Sequence, residues 1–552
     1  MIRGSAARIV RVVAVLSAMT LAAAALAACK PQHHRPPCPP GALCLAYGNG
    51  AEPTTLDPAH IDGTWETTIV SQLLVGLTER AADGHVEPAL ARSWETSADG
   101  LTWTFHLRDA RWSDGEPVTA DDFVYAMHRE LDPKTASASA FLLYAIVKNA
   151  EAVNSGKLPA SAAGIEAPDA HTLVLHLEHP WPNLADYLTG RTFWPVPRHV
   201  VQRWGDAWTK PEHYVTDGPY TLVAWRLGDA VVLRKSPTYW QAERVCYDEI
   251  DFNPTTDATT NERSERAGDL DVSTTVQSNR VHFLERSALA SYLRLAPEYG
   301  VTYLSFNLMD RSLKDVRVRQ ALSMAIDRDF ITGKLLRAGQ RPAYSFVPDN
   351  MPGYSPTRTY WADWSLPRRQ VEARRLLAAA GYGPAHPLKL TIKHRNSSDP
   401  TLFLPAVQAD WKAIGVQAEL RQEDVQVAYQ DYENHDFQVG DAGWVAPDPY
   451  FYLDLYRSDT GGSNFGGYDN PAFDRELDSA LAASDMPTRA AHLRRAEAML
   501  LADAPIAPIY FISSRNLVNP VIAGWVDNPI DAHPARELCR LPQRAGIGSA
   551  TS

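Results

Sequence analysis

Large apolar and small polar residues alternate from Leu101 through Trp103 and Phe105 to Leu107, with Thr102, Thr104 and His106 between them. A period of two predicts a half-buried strand, and Ser113-Asp114-Gly115 predicts a turn after it. Leu173, Leu175 and Leu177 repeat that period. Thr119 with Asp122 resembles a capping box opening a helix that carries Phe123, Val124 and Met127. Leu73, Leu74 and Leu77 predict one apolar helix face, and Tyr220 to Leu233 predicts a hairpin around Gly228-Asp229. Further on, Val318, Leu322, Ala325 and Ile326 keep helical spacing behind Asp315, and a helix from about Pro367 stops at Gly381. A strand over Leu388–Ile392, a helix around Trp411 and a helix from Met486 to Leu501 complete an α/β pattern without internal repeat.

The stretch from Asp436 to Asp454 mixes these signals. Alternation runs into Gly443-Trp444, then a turn on Pro447-Asp448-Pro449, then aromatics. A tryptophan between a glycine and a proline-rich turn suits the mouth of a cleft, where it offers flat apolar contact at little entropic cost. The same pattern also fits a core tryptophan beside a surface turn.

Composition narrows the class. At 552 residues, 45% hydrophobic and 21% charged, the chain exceeds what one core holds and predicts two or three packed lobes. A net charge of -12 argues against nucleic acid or an anionic membrane surface as the main partner. Arg3, Arg8 and Arg11 precede an uncharged run from Val12 to Ala28, the pattern of an export signal over 1-28. Leu26-Ala27-Ala28-Cys29 resembles a bacterial lipobox, so Cys29 is the expected lipidation site, with 29-44 as a Pro-rich linker that includes His33 and His34. No later segment offers the roughly 20 apolar residues of a spanning helix. Four cysteines remain for an oxidising compartment, and three pairings are open. Proximity in sequence favours Cys38 with Cys44, and hence Cys246 with Cys539.

Motifs for catalysis are missing. Gly461 and Ser463 have nucleophile-elbow spacing, but Phe465 stands at the second glycine. Neither Gly156-Lys157 nor Gly333-Lys334 has the upstream glycine of a phosphate loop, and no H-E-x-x-H occurs. Alternation places His176 and His179, which flank Glu178, on opposite faces. Carboxylate pairs such as Asp121-Asp122 and Asp269 with Asp271 read as solvation or helix starts. Neither an enzyme, a cofactor nor a metal site is expected.

Several stretches together resemble the solute-binding proteins of bacterial ABC-type peptide importers. They are Glu52-Pro-Thr-Thr-Leu-Asp-Pro58, Trp103 to Arg108 with Trp112-Ser-Asp-Gly115 and Thr119 to Val124, Asp132 to Ala136, Thr216 to Tyr220, Pro237 to Trp240, Asp315 to Ala321 with Ala325 to Arg328, Gly443-Trp444 with Pro447-Asp-Pro449, and Pro508-Ile-Tyr510. The resemblance implies a periplasmic-binding-protein-like α/β fold, with two lobes closing on a ligand cleft and an inserted third domain. The first domain would comprise 45-93, 204-302 and 508-545, the insert 94-203, and the other lobe 303-507, ahead of a tail over 546-552. It also implies a monomeric, exported envelope protein that delivers a peptide or peptide-like ligand to a membrane permease and its ATPase. A non-peptide solute, or a sensor or chaperone-like role in the envelope, is the alternative.

By the same resemblance, Glu52 and Thr54 fall on a ligand-lining segment, Tyr303 and Asn307 on a strand beside the ligand backbone, Tyr510 on the returning segment, and Trp444 at a platform position. One departure matters. Peptide-binding members continue Gly-Trp-x-x-Asp, with that aspartate on the ligand's ammonium, whereas Pro447 stands there in this chain. Asp441 replaces an arginine and Thr401 a histidine of the oligopeptide-binding pattern. Asp441 or Asp448 is therefore the expected ammonium partner, with Arg395 or Arg341 for the carboxylate, unless the ligand is no free zwitterion.

Overall fold

The computed structural model describes residues 38–541 apart from 62, 138, 145 and 275. Cys29, the export signal, most of the linker and the tail lie outside the described residues. Two long strands, Leu293–Phe306 and Ile506–Val518, pair antiparallel down the middle of an eleven-stranded sheet. On one side of them lie Val439–Val445, Lys389–Arg395 and Gln417–Glu423; on the other lie Val272–Ser273, Cys44–Gly48, Glu249–Asn253 and the hairpin Tyr220–Arg226 with Ala230–Lys235. The boundaries expected at 302/303 and 507/508 thus fall inside continuous strands. The lobes are joined by paired backbone and not by loops.

The joint is shaped by a register shift between Pro297 and Val301. Gly300 sits in that shift because a Cβ there would meet Ile512 Cδ1 at 2.9 Å and Val445 Cγ2 at 3.0 Å. A separate four-stranded sheet is formed by Ala91–Thr96, Thr102–Leu107, Thr172–His176 and Ile165–Asp169. Its period is as read: Trp103, Phe105 and Leu107 are buried, and the residues between them half-buried. Thr119 and Asp122 form the capping box of the helix Ala120–Leu131, with Thr119 N donating to Asp122 Oδ2 at 2.9 Å.

One expected helix is shorter than its leucines. The helix Thr64–Leu73 ends before Leu74 and Leu77, because Gly218 N takes Leu73 O at 2.9 Å and Asp217 Oδ1 accepts from Val75 N at 3.1 Å. All three leucines are still buried. Disulfides join Cys38 to Cys44 and Cys246 to Cys539, the latter across 293 residues of sequence.

Behind this sheet, Glu265 on the helix Ala258–Ala267 is 2% exposed, and neither carboxyl oxygen has a partner among the described residues. Burial first, and the nearby charge of Asp271 second, push its pKa up to about 9. The folded chain then holds a proton that the unfolded chain has released, so stability falls as pH rises from the usual carboxylate range toward 9. Glu265→Gln is expected to stabilise the protein by roughly 4 kcal/mol more at pH 8 than at pH 5, at about 1.4 kcal/mol per unit over three units, since the cost of a buried amide is the same at both values. Urea unfolding at the two values measures this, and an equal effect at both would show Glu265 ionised in the fold.

Candidate functional site

The strand Val439–Val445 has a full antiparallel neighbour on one side only. It pairs with Leu293–Phe306 along its length, but with Lys389–Arg395 only at Val439 and Gly440. Ala446 N donates to Tyr299 O at 3.3 Å, so by alternation Ala442 and Trp444 also face that neighbour. Gly443 and Val445 therefore direct their N–H and C=O groups to an open edge. Val445 is 48% exposed. Unpaired strand groups of this kind are a template for an added strand.

That edge borders a cavity of about 530 Å³, lined on this side by Val445, Ala446, Pro447 and Tyr299. The opposite wall is the helix Thr64–Leu73, whose Thr64, Thr67, Thr68 and Ser71 form a hydroxyl stripe at i, i+3, i+4 and i+7. Thr189 to Arg191 and Trp194 come from the inserted domain, and Ile530 to Pro534 from the C-terminal return. Such a space is mixed in polarity and sits where three parts of the chain meet, as ligand sites commonly do.

None of the eight residues expected to touch ligand lines this cavity. Glu52 instead closes the hairpin, accepting from Trp225 Nε1 at 2.8 Å and Gly228 N at 3.0 Å. Thr54 gives both N–H and hydroxyl to Glu66 Oε1. Asn307 Nδ2 donates to the carbonyls of His435 and Phe437 at 2.9 and 2.8 Å, a brace between segments. Tyr303 is buried edge-on against Phe346, and its phenol is held well above its usual pKa by burial. Tyr510 packs edge-on against Phe403 and is likewise buried. Trp444 is half-buried against the core, and its Nε1 has no hydrogen-bond partner among the described residues.

Both candidate ammonium partners are already neutralised. Asp441, wholly buried, accepts Arg395 N at 2.7 Å and the guanidinium Nε and Nη2 at 2.9 and 2.7 Å. Burial would lower the Arg395 pKa, but the Asp441 charge outweighs it and holds the guanidinium above its usual range. Asp448 receives both Nη atoms of Arg489 at 2.9 and 2.8 Å, and also Asn183 Nδ2 at 2.9 Å from the inserted domain. Arg489 in turn lies 5.0 Å over the Trp181 ring. Arg341 pairs with Asp349 at 2.7 Å, and the Thr401 hydroxyl is used within its helix. Sequence reading missed the cavity's own features, although the threonine and serine spacing from Thr64 to Ser71 is a visible signal.

Two lobes on continuous strands, with an open strand edge beside a cavity, define a solute-binding protein. Residues 85–464 match the family described as Bacterial extracellular solute-binding proteins, family 5 Middle. The chain belongs to this family. It is 33% identical over 500 residues to the Periplasmic oligopeptide-binding protein OppA of Escherichia coli (strain K12), covering 90% of this chain and 92% of that protein. To the Periplasmic murein peptide-binding protein MppA of the same organism it is 34% identical, over 88% and 91% of the two chains. The solved Haemophilus influenzae OppA complex with RPPGFSPFR is 31% identical, with a TM-score of 0.78 over 91% of this chain and 99% of that one. Among the described residues no helix is long and apolar enough to cross a membrane.

Asp448 and Arg489 are 4% and 2% exposed, so removing one charge strands the other in a dry interface. Asp448→Asn is expected to lower stability by about 3–5 kcal/mol in urea unfolding, while ligand affinity changes less than about threefold. A large affinity loss with normal stability would instead make Asp448 a ligand contact.

Proposed function

We propose that this protein captures a peptide or peptide-like solute in the cavity between its lobes and delivers it to an ABC permease and its ATPase. The observation that carries this reading is the open edge at Gly443 and Val445. A peptide brings its own backbone donors and acceptors, which lose water on burial and need replacements. The edge offers them in the spacing of a strand, and pairing through the main chain tolerates many side chains. The hydroxyl stripe of the facing helix suits water-mediated contacts to the ligand's side chains. The relatives' names, oligopeptide-binding and murein peptide-binding, favour the same ligand class.

In this reading the chain acts as a monomer outside the cytoplasm, tethered through lipidated Cys29, and performs no chemistry on its ligand. Closure is a rotation of one lobe on the other about the Pro297–Gly300 shift, which both long strands share. The site residues we assign are the peptide groups of Gly443 and Val445, with Trp444 holding the edge from behind.

Val445→Pro tests the assignment. Proline deletes the N–H aimed at the open edge and leaves the ladder to Leu293–Phe306 intact, a position where strands accept it. Affinity for a tri- to pentapeptide library, read by calorimetry, is expected to fall about tenfold or more with the ligand-free Tm nearly unchanged. Unaltered affinity would remove the edge from the site, and a wild-type protein that binds no library member would remove the peptide.

A further inference from the structure

The register shift that forms the hinge also exposes a charge. Glu298 lies within it and lines a second cavity of about 260 Å³, together with Arg515, Ser398 and Asp531. Asp531 lines the larger cavity too, so the two spaces share that side chain as a wall. Tyr299 N donates to Pro529 O at 2.7 Å and holds the C-terminal return against the bulge. The ladder that pairs Gly300 with Val445, and sets Ala446 N on Tyr299 O, brings Glu298 level with Pro447 at the end of the open edge.

Every other charge around this point has a partner. Arg515 Nε donates to Val276 O at 2.9 Å, and its guanidinium lies 3.7 Å from Asp399. Arg80 is held by Asp186 at 2.6 Å and Arg536 by Glu79 at 2.8 Å. Asp531 accepts from Asn516 Nδ2 at 2.8 Å and contacts His533 Nε2 at 3.0 Å. The Glu298 carboxylate has neither a hydrogen bond nor an ion pair among the described residues. Burial, and after it the charge of Asp531, push its pKa up to about 7 while Arg515 pulls it down. A second group is also unmet: the His533 side chain is 2% exposed and lines the larger cavity, stacked 3.6 Å from Trp525, and its Nδ1 has no partner. A half-buried carboxylate at the wall of the smaller cavity, which Asp531 separates from the larger one, has no protein cation left for it and is poised for a cation brought by the ligand.

We propose that Glu298, backed by Asp531, is an anionic subsite that takes a cationic group of the bound solute, either a free ammonium or a basic side chain. The position of the ligand backbone rests on the peptide-binding reading above. The carboxylate does not, since it faces a cavity whatever lies along the edge.

Calorimetry on the full chain and its Glu298→Gln variant separates the outcomes, with tetra-alanine, N-acetyl-tetra-alanine and N-acetyl-Ala-Lys-Ala-Ala as probes. If the ammonium is the cation, acetylation weakens wild-type binding about tenfold or more, and Glu298→Gln erases that difference. If a basic side chain is the cation, the lysine peptide binds the wild type about tenfold or more tighter than N-acetyl-tetra-alanine does, and Glu298→Gln erases that difference. Equal ratios among the three probes in both proteins would overturn the subsite, and unchanged binding of the acetylated probe shows that the variant is folded. Should no peptide bind the wild type, the peptide reading fails, and butylamine and agmatine replace the probes in a thermal-shift assay. Stabilisation of the wild type alone would keep the subsite, and equal responses would overturn it.

Discussion

A backbone N–H or C=O that leaves water must find a partner, and the strand Val439–Val445 leaves that requirement open on one edge. Its neighbour Lys389–Arg395 departs after Gly440, where the Arg395 side chain turns back to clamp Asp441. Beyond Gly440 no further strand pairs with that edge, and at Val445 it borders a cavity. The other features of the site follow from that. The cavity needs a polar far wall, which the helix Thr64–Leu73 supplies, and it needs rigid support behind the edge, which the paired long strands supply.

Local signals in the sequence located the parts, and long-range contacts set their use. Thr119 and Asp122 are three residues apart, and their capping box needs nothing from elsewhere, so it was legible. The alternation from Leu101 to Leu107 was legible for the same reason. Leu74 and Leu77 misled because Asp217, far along the chain, captures Val75 N and ends the helix early. The resemblance places Glu52 and Thr54 on a ligand-lining segment and Asn307 on a strand beside the ligand backbone. Each is satisfied by a partner that no spacing rule reveals: Trp225, Glu66 and the carbonyls near His435. The open edge was hidden because it depends on which strand lies next to which.

The charges carry the same lesson in stricter form. Asp441 and Asp448 looked like candidates for an ammonium because each is a carboxylate near Trp444. A buried carboxylate is tolerated only when paired, and both have an arginine within 3 Å. Their burial therefore argues against a ligand role: a group that must be paired for the empty protein to fold is not free to receive a solute. Glu298 differs because it is half-buried at the wall of a cavity, where water or a ligand can reach it.

The proposed hinge and the carboxylate occupy the same four residues, and that has a mechanical consequence. Pro297 to Gly300 absorb one of the two register shifts between the long strands, so the proposed rotation of one lobe on the other would act on their backbone geometry. Tyr299 is tied at the same place to Pro529 through its N–H and to Ala446 through its carbonyl. A cation seated on Glu298 would therefore join the C-terminal return, the hinge and the open edge within one short span. Its binding energy would act where the two lobes pivot, and a solute lacking that charge would fill the cavity without favouring the closed arrangement to the same degree.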